Sequence, residues 1–436
     1  MRRVRTVLAV TVLIVPVLCR AQESGELDDR LKLGAAIAYA RRHNPEIAAA
    51  EAKWHAAQAR PSQEGSLADP MINTAYHNEG FDRLRQGSGD FTFLRFGAEQ
   101  EVPFPGKLAL KEKVAFREAD REGALYRATV LNVVTRLRIA YDDYYLAHKS
   151  IEILSRNKEL LDQLARAAEA RYQVGEGLQQ DVVRAQLELS ILTGRLTSLE
   201  QARQSVAAMV NALLNRPPAE PLGIPAPVEK RPLPYSLDQL EKLAQQQSPS
   251  LEAAKFGVDR AEANLDLAKR QYYPDFVVRA DYFNKASLVP EWEVGAGIRV
   301  PLYFWRKQSS GVVEATASVS AARASRQGTS QEVLATLKDF YAQASSAARL
   351  MELYDAVVGP QAEIALESAS AAYQVGKVDF LSVLTNFTIL NDYRLRYYGE
   401  LANFDKALAR LEEAAGLLPD ESLGDESPPS GSKRGK

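Results

Sequence analysis

The chain has 436 residues, 46% of them hydrophobic and 25% charged, with 54 basic against 56 acidic side chains. That mixture excludes a disordered tail protein, and a net charge of −2 gives no electrostatic hold on nucleic acid. Four histidines and one cysteine leave almost nothing for a soft-metal or thiol site, and no apolar run nears the roughly 18–20 residues of a spanning helix, so composition by itself suggests a soluble protein of two or three domains.

Residues 1–21 read as a secretory signal: Arg2, Arg3 and Arg5 form a positive start, residues 7–18 are apolar, and Cys19 and Ala21 put small residues at −3 and −1 of a cleavage site. Cleavage there starts the mature chain at Gln22 without any cysteine. The rival reading makes Cys19 a lipid-attachment site, against which Pro16-Val17-Leu18 lacks the small residue such a site has just before its cysteine. Either way the chain is exported.

Three patterns then recur in the same order. Asn44-Pro45-Glu46-Ile47 returns as Ser248-Pro249-Ser250-Leu251, Glu101-Val102-Pro103-Phe104 as Arg299-Val300-Pro301-Leu302, and Tyr172-Gln173-Val174-Gly175 as Tyr373-Gln374-Val375-Gly376, at offsets of 204, 198 and 201. The chain therefore reads as one unit of about 200 residues written twice. The first repeat covers residues 22–215 and the second 236–416. Between them residues 216–235 hold seven of the 21 prolines, a stiff connector through which no helix continues. Residues 417–436 read as a polar, disordered tail.

Within each repeat the order is helix, two strands, long helix, helix. Residues 31–65 predict a helix of 35 residues, and residues 178–215 one of 38. Residues 105–174 predict a single helix of 70, about 105 Å long, with Gly106 and Gly123 its only weak points after Pro105. The two shorter helices stacked end to end match the long one. In the second repeat residues 306–375 give 70 again, and residues 236–271 and 379–416 give 36 and 38, as expected if all of them line one tube. Val182, Ala185, Leu189, Leu192, Leu196 and Leu199, continuing at Val206, Val210 and Leu213, keep heptad spacing, and Val383, Leu390, Tyr397, Phe404 and Leu411 repeat it 201 residues later. A period of 3.5 implies left-handed coiling against neighbouring helices.

The segments between the short and long helices alternate with a period of two. Leu94, Phe96, Ala98 and Val102 oppose Arg95, Gly97, Glu99 and Glu101, and Trp292, Val294, Ala296, Ile298 and Val300 oppose Glu293, Gly295, Gly297 and Arg299. Phe276, Val278, Ala280 and Tyr282 oppose Arg279 and Asp281, while residues 71–76 are the least regular of the four. Such strands fit a soluble half-buried sheet or a transmembrane barrel. Four strands are too few to close a barrel, for which about eight is the minimum, so a barrel requires oligomerisation, and three copies supply twelve.

With these elements the chain resembles the TolC-type outer-membrane efflux proteins over residues 31–416, through the doubled strand-pair and helix pattern and a Tyr-x-x-Gly turn near the end of each long helix. Phe104-Pro105-Gly106-Lys107, the stretch from Tyr373-Gln374-Val375-Gly376 through Leu384, and Ala407-Leu408-Ala409-Arg410-Leu411-Glu412 look most like the heavy-metal branch, the cobalt-zinc-cadmium and copper-silver channels. The resemblance implies a mainly α fold with a membrane β-barrel: a homotrimer in outer-membrane lipid, a twelve-stranded barrel, and a coiled-coil α-helical tunnel in the periplasm. It implies a passive exit duct that docks on a periplasmic adaptor and is served by a proton-driven inner-membrane efflux transporter. Drug efflux or type I protein secretion through the same architecture is one alternative, and a soluble periplasmic coiled-coil scaffold is another.

The resemblance also implies that the turns at Gly175, Gly177 and Gly376 are the periplasmic tips, closed at rest by hydrogen bonds, ion pairs and an acidic ring. Asp181 and Tyr373 match an acidic and an aromatic member of that network. The former is equally read as an acid favoured at a helix N-terminus, and the latter as packing between coiled helices. The family's basic position is Val378 here, with Lys377 beside it, and its two ring acids are Ser382 and Thr385. Either Asp379 and Lys377 serve the gate instead, or it is held more loosely. His43, His55, His77 and His148 have no second ligand at metal-binding spacing, and Asp142-Asp143 with His148 read as a solvated or tunnel-facing cluster. No phosphate loop or nucleophile motif is present, so no enzyme, cofactor or resident metal is expected.

Overall fold

A computed structural model describes residues 30–80 and 90–418. The expected leader with Cys19, and residues 419–436 of the expected tail, lie outside the described residues. The chain runs through a two-residue strand β1 (Arg30–Leu31), helices α1 (Leu33–His43) and α2 (Pro45–Glu64), strands β2 (Met71–His77) and β3 (Phe93–Val102), and helices α3 (Lys107–Gln173) and α4 (Gln179–Leu213). After β4 (Ile224–Pro225) come α5 (Leu237–Gln247), α6 (Pro249–Arg270), β5 (Asp275–Asn284), β6 (Glu291–Arg299), α7 (Lys307–Leu353), α8 (Gly359–Gln374) and α9 (Phe380–Ala415).

Three predicted helices differ from expectation, each for a stated cause. The helix expected over 31–65 is broken into α1 and α2 at Asn44, and the one over 236–271 into α5 and α6 at Ser248. Each break precedes a proline, whose ring disfavours the α conformation in the residue before it. Asn44 accordingly has ψ 125° and Ser248 ψ 116°. The Asn44 side chain turns the break into a joint: Oδ1 accepts from the amides of Glu46 (2.9 Å) and Ile47 (3.3 Å), and Nδ2 donates to the Leu213 carbonyl (2.9 Å). The helix expected over 306–375 is interrupted by a π-helical turn, Tyr354–Val358. Pro360 has no N–H and crowds the preceding turn, so the ladder widens there, whereas α3 carries no proline and runs unbroken for 67 residues.

The connector is pinned rather than merely stiff. β4 pairs in parallel with β1, and the Tyr141 hydroxyl of α3 donates to the carbonyls of both Leu31 (3.1 Å) and Ala226 (3.0 Å).

The chain divides into two compact units. Of the described residues, the first takes those up to Ala48, Ala128–Ser248 and those from Val333 onward. Its three apolar cores combine heptad positions with other buried residues: Val210 with Leu137 in one, Ala185, Leu192 and Val383 with Leu161 and Phe387 in the second, Phe404 and Leu411 with Leu337 and Met351 in the third. The second unit comprises Ala49–Arg127 and Pro249–Glu332. Its buried apolar residues are small, among them Ala57, Ala115, Ala119, Ala124, Ala253 and Ala263. Gly123 is explained here, because a Cβ would lie 2.8 Å from the indole nitrogen of Trp54, which stacks on Tyr126. Among the described residues no helix is long and apolar enough to cross a membrane.

Contrary to the solvated cluster expected, Asp142 is buried, and so is Asp405 on α9. Arg231 of the connector donates to Asp405 at 2.9 Å, Arg138 binds Glu412, and Lys406 binds Asp143. Burial raises the Asp142 carboxyl well above the carboxylate range, and the neighbouring Asp405 adds to it; Arg138, Lys406 and Arg231 pull the other way without cancelling it. A raised folded-state pKa means that stability is lost as pH rises from the ordinary carboxylate value through the raised one. Asp142→Asn removes the ionisation and keeps the shape. Its thermal midpoint is expected to exceed the parent's at about pH 8 and to lose that lead near about pH 4; a lead that does not change with pH would contradict the raised Asp142 pKa.

Candidate functional site: an apolar sheet face and the hairpin turns

The four long strands form one antiparallel sheet in the order β2-β3-β5-β6, leaving β2 and β6 as edges. Register aligns Thr74, Phe96, Tyr282 and Trp292 across it, and beside them Ile72, Ala98, Ala280 and Val294. Because side chains alternate along a strand, this alignment gathers the apolar set onto one face. That face is bare: Ile72 is 71% exposed, Trp292 76%, Val294 65% and Ile298 63%.

The other face holds the charges. Arg279 reaches Asp281 (3.0 Å) and Glu293 (3.2 Å), Arg95 lies 3.6 Å from Asp281, and Arg299 pairs with Glu101. Asp281 is buried among them. Gly97 makes room for this network, since a Cβ there would stand 2.4 Å from both the Asn73 and the Asp281 Oδ1 atoms. Large apolar groups are therefore outside and a carboxylate inside, the reverse of a water-soluble sheet. At the end of the sheet where β3 and β6 finish and β5 begins, aromatic residues collect. Phe104 stacks on Tyr273 at 4.6 Å, Arg270 lies over both rings, and Tyr303, Phe304 and Trp305 are exposed. Amphipathic rings in a band are what a membrane–water boundary selects.

The α3–α4 and α8–α9 turns share one construction. Gly175 and Gly376 adopt φ +79° and +73°, left-handed values that favour glycine. In one turn the Gly175 amide donates to the Tyr172 carbonyl (3.0 Å) and the Glu176 amide to that of Arg171 (2.9 Å). In the other, Gly376 donates to Tyr373 (3.0 Å) and Lys377 to Ala372 (2.9 Å). Gly177 is needed for space instead, since its Cβ would lie 2.9 Å from the Tyr172 amide nitrogen.

Of the six side chains expected at the gate, the structure brings two together. Asp181, in the first turn of α4, and Tyr373, in the last turn of α8, are both buried. Burial first, and the Asp181 charge second, raise the Tyr373 phenol pKa, while Arg171 opposes them. The Tyr373 ring meets Phe380 edge-on at 5.5 Å. The other four are arranged differently. Asp379 caps α9, accepting from the Ser382 amide (3.0 Å) and hydroxyl (2.6 Å), and these bonds hold its carboxyl below the usual range. Thr385 donates to the Leu381 carbonyl of its own helix (2.8 Å), and Lys377 is exposed. A further residue, Arg171, was not singled out from the sequence: it donates to the Tyr373 carbonyl, and its guanidinium lies 4.8 Å from that ring's centre. The signal for it was an asymmetry in the matched turns, Arg171 before one Tyr-Gln-Val-Gly and Ala372 before the other. Among the described residues no three His, Cys, Asp or Glu side chains converge as a metal centre.

Residues 240–417 match the family model for outer membrane efflux proteins. The chain carries an outer membrane efflux protein domain. Similarity extends beyond that domain: the chain is 23% identical over 401 residues to the cobalt-zinc-cadmium resistance protein CzcC of Cupriavidus metallidurans, covering 88% of this chain and 90% of that one. It is 22% identical over 402 residues to the outer membrane protein TolC of Vibrio cholerae, covering 88% and 91%. The fold matches that of the outer membrane protein VceC from Vibrio cholerae with a TM-score of 0.75 at 20% identity, over 88% of this chain and 96% of that one.

Two glycines of this efflux domain test the turn geometry. Gly376→Ala forces a left-handed residue with a side chain and is expected to lower stability by roughly 1–2 kcal/mol in chemical denaturation. Gly399→Ala, inside α9 where a Cβ would meet nothing within 4 Å, is expected to raise it by up to ~1 kcal/mol. The same sign at both positions would contradict the assignment.

Proposed function

We propose that this protein is the outer-membrane channel of a tripartite efflux system. Three copies close a twelve-stranded barrel with the exposed apolar face toward lipid and the Arg95–Asp281–Arg279–Glu293 network toward the lumen. The helices continue the duct into the periplasm, where its tips meet an adaptor protein and a proton-driven inner-membrane transporter. The observation that carries this reading is the sheet itself, four strands with bare apolar residues on one face, charges on the other and two unpaired edges. A soluble coiled-coil scaffold has no use for such a face.

The cargo proposed is heavy-metal cations, supported by the similarity to CzcC and by the turn and helix-end motifs of the second repeat. The likeness to TolC, nearly as strong, keeps drug efflux or type I secretion as a second reading. A passive duct moves cargo down a gradient set elsewhere, so a charged, water-filled lumen suffices without tight binding. Control then falls to the tips, where Asp181 and Tyr373 hold the closed state, with Lys377, Asp379, Ser382 and Thr385 on the turn and first turns of α9 that flank it.

Val294→Arg, at mid-strand on the bare face, is expected to cost about 2–4 kcal/mol of membrane stability and to shift the protein out of the outer-membrane fraction. The matched change on the charged face, Glu293→Gln, is expected to leave membrane assembly intact. Loss in both, or in neither, would contradict the two-faced sheet. A deletion strain is expected to lose growth on zinc, cobalt or cadmium before it loses growth on common antibiotics; the reverse order would replace the metal reading with drug efflux.

A further inference from the structure

Arg171 stands in the last turn of α3, and its guanidinium does three things. Nη1 donates to the Tyr373 carbonyl, the planar group covers the Tyr373 ring at 4.8 Å, and Nη2 donates to the Glu176 carbonyl at 3.4 Å. One side chain thus ties its own turn to the end of α8, which leads into the other turn. Gly376 lies beside it, with Nη2 at 3.5 Å from where its Cβ would stand, an ordinary contact, so the glycine is required by its left-handed φ and not by the arginine.

The two tips are unequal in this respect. Both carry Tyr-Gln-Val-Gly, but the preceding residue is Arg171 in one and Ala372 in the other. Tyr373 is correspondingly 6% exposed, and Tyr172 46%. Alanine has nothing to reach across with, so each protomer has a single contact of this kind at the paired turns.

We propose that Arg171 is the latch that holds the two hairpin turns of a protomer together in the resting tip, with Tyr373 as its seat and Asp181 beside that seat. This rests on reading the tips as the channel's gate. The contact suits a closure that must also open. A charge-assisted hydrogen bond and a cation–π contact reinforce each other. Yet Nε of Arg171 and the hydroxyl of Tyr373 are buried without partners, so the network is unfinished in this protomer and can gain partners on release. The chemistry is specific to arginine. Lysine offers a point charge that cannot lie flat on the ring while donating in two directions.

The test is resting single-channel conductance of the purified full-length channel in planar bilayers, with the thermal midpoint and oligomer mass of the same preparations as controls. Arg171→Ala is expected to raise resting conductance several-fold with both controls unchanged. Arg171→Lys is expected to fall short of restoring the parent level, and it carries the test if the alanine variant does not assemble. The double variant with Tyr373→Ala is expected to conduct no more than the larger single change, because one latch can be broken only once. A double variant whose effects multiply would remove Tyr373 as the seat. Parent-like conductance from both Arg171 variants, alongside increases from Asp181→Ala or Tyr373→Ala, would overturn the latch and leave the gate reading standing. If no tip substitution alters conductance, the gate reading fails and the latch with it.

Discussion

An antiparallel sheet of four strands cannot satisfy its own backbone in hydrocarbon, and the proposed channel rests on that constraint. The edges at β2 and β6 present unpaired amide and carbonyl groups, each of which costs several kcal/mol away from water. In water the same sheet exposes Ile72, Trp292, Val294 and Ile298 together, a patch that demands cover. Both demands are met at once if edges of neighbouring protomers pair and the apolar face turns to lipid. The second unit's internal packing uses alanines, while Ile72, Trp292, Val294 and Ile298 are left at its surface.

The turns answer a different constraint. Long helices that end in two-helix hairpins must reverse direction in a few residues, which Gly175 and Gly376 make possible by taking left-handed values. The two turns share their closing bonds, and the first adds one from the Gly177 amide to the Arg171 carbonyl, so side chains carry most of the remaining difference between them. Arg171, Tyr373 and Asp181 supply it on one side, while Asp379 spends its carboxylate on capping α9 through Ser382. Ser382, where the resemblance leads one to expect an acid, has a partner for its hydroxyl and amide within the same turn.

Much of this was legible in the residues, and what was missed has particular causes. The strands were visible because Trp292, Val294, Ala296 and Ile298 alternate with Glu293, Gly295 and Gly297, and period two is an unambiguous signal. The breaks at Asn44 and Ser248 lie in a motif that the sequence shows only as a repeat; its meaning is in the proline that follows, which restricts the residue before it. Pro360 interrupted a helix expected to be continuous for a similar reason. Asp142 and Arg171 belong to another class of miss. A carboxylate on a helix reads as solvated until the facing helix is known to bring Asp405, and the connector Arg231, up to it beside Arg138 of its own helix, and an arginine near a turn reads as surface until the other hairpin places Tyr373 beneath it. Contacts between residues 202 apart leave no local trace, only the asymmetry between Arg171 and Ala372.

The central claim is that the sheet is one third of a closed barrel, and the mass of the assembled particle tests it most directly. Native mass measurement of the full-length protein, extracted from membranes in detergent, is predicted to give three protomers per particle and none in the soluble fraction. A monomer stable in buffer without detergent would contradict the account, because four strands with two open edges and a bare apolar face would then be sufficient alone.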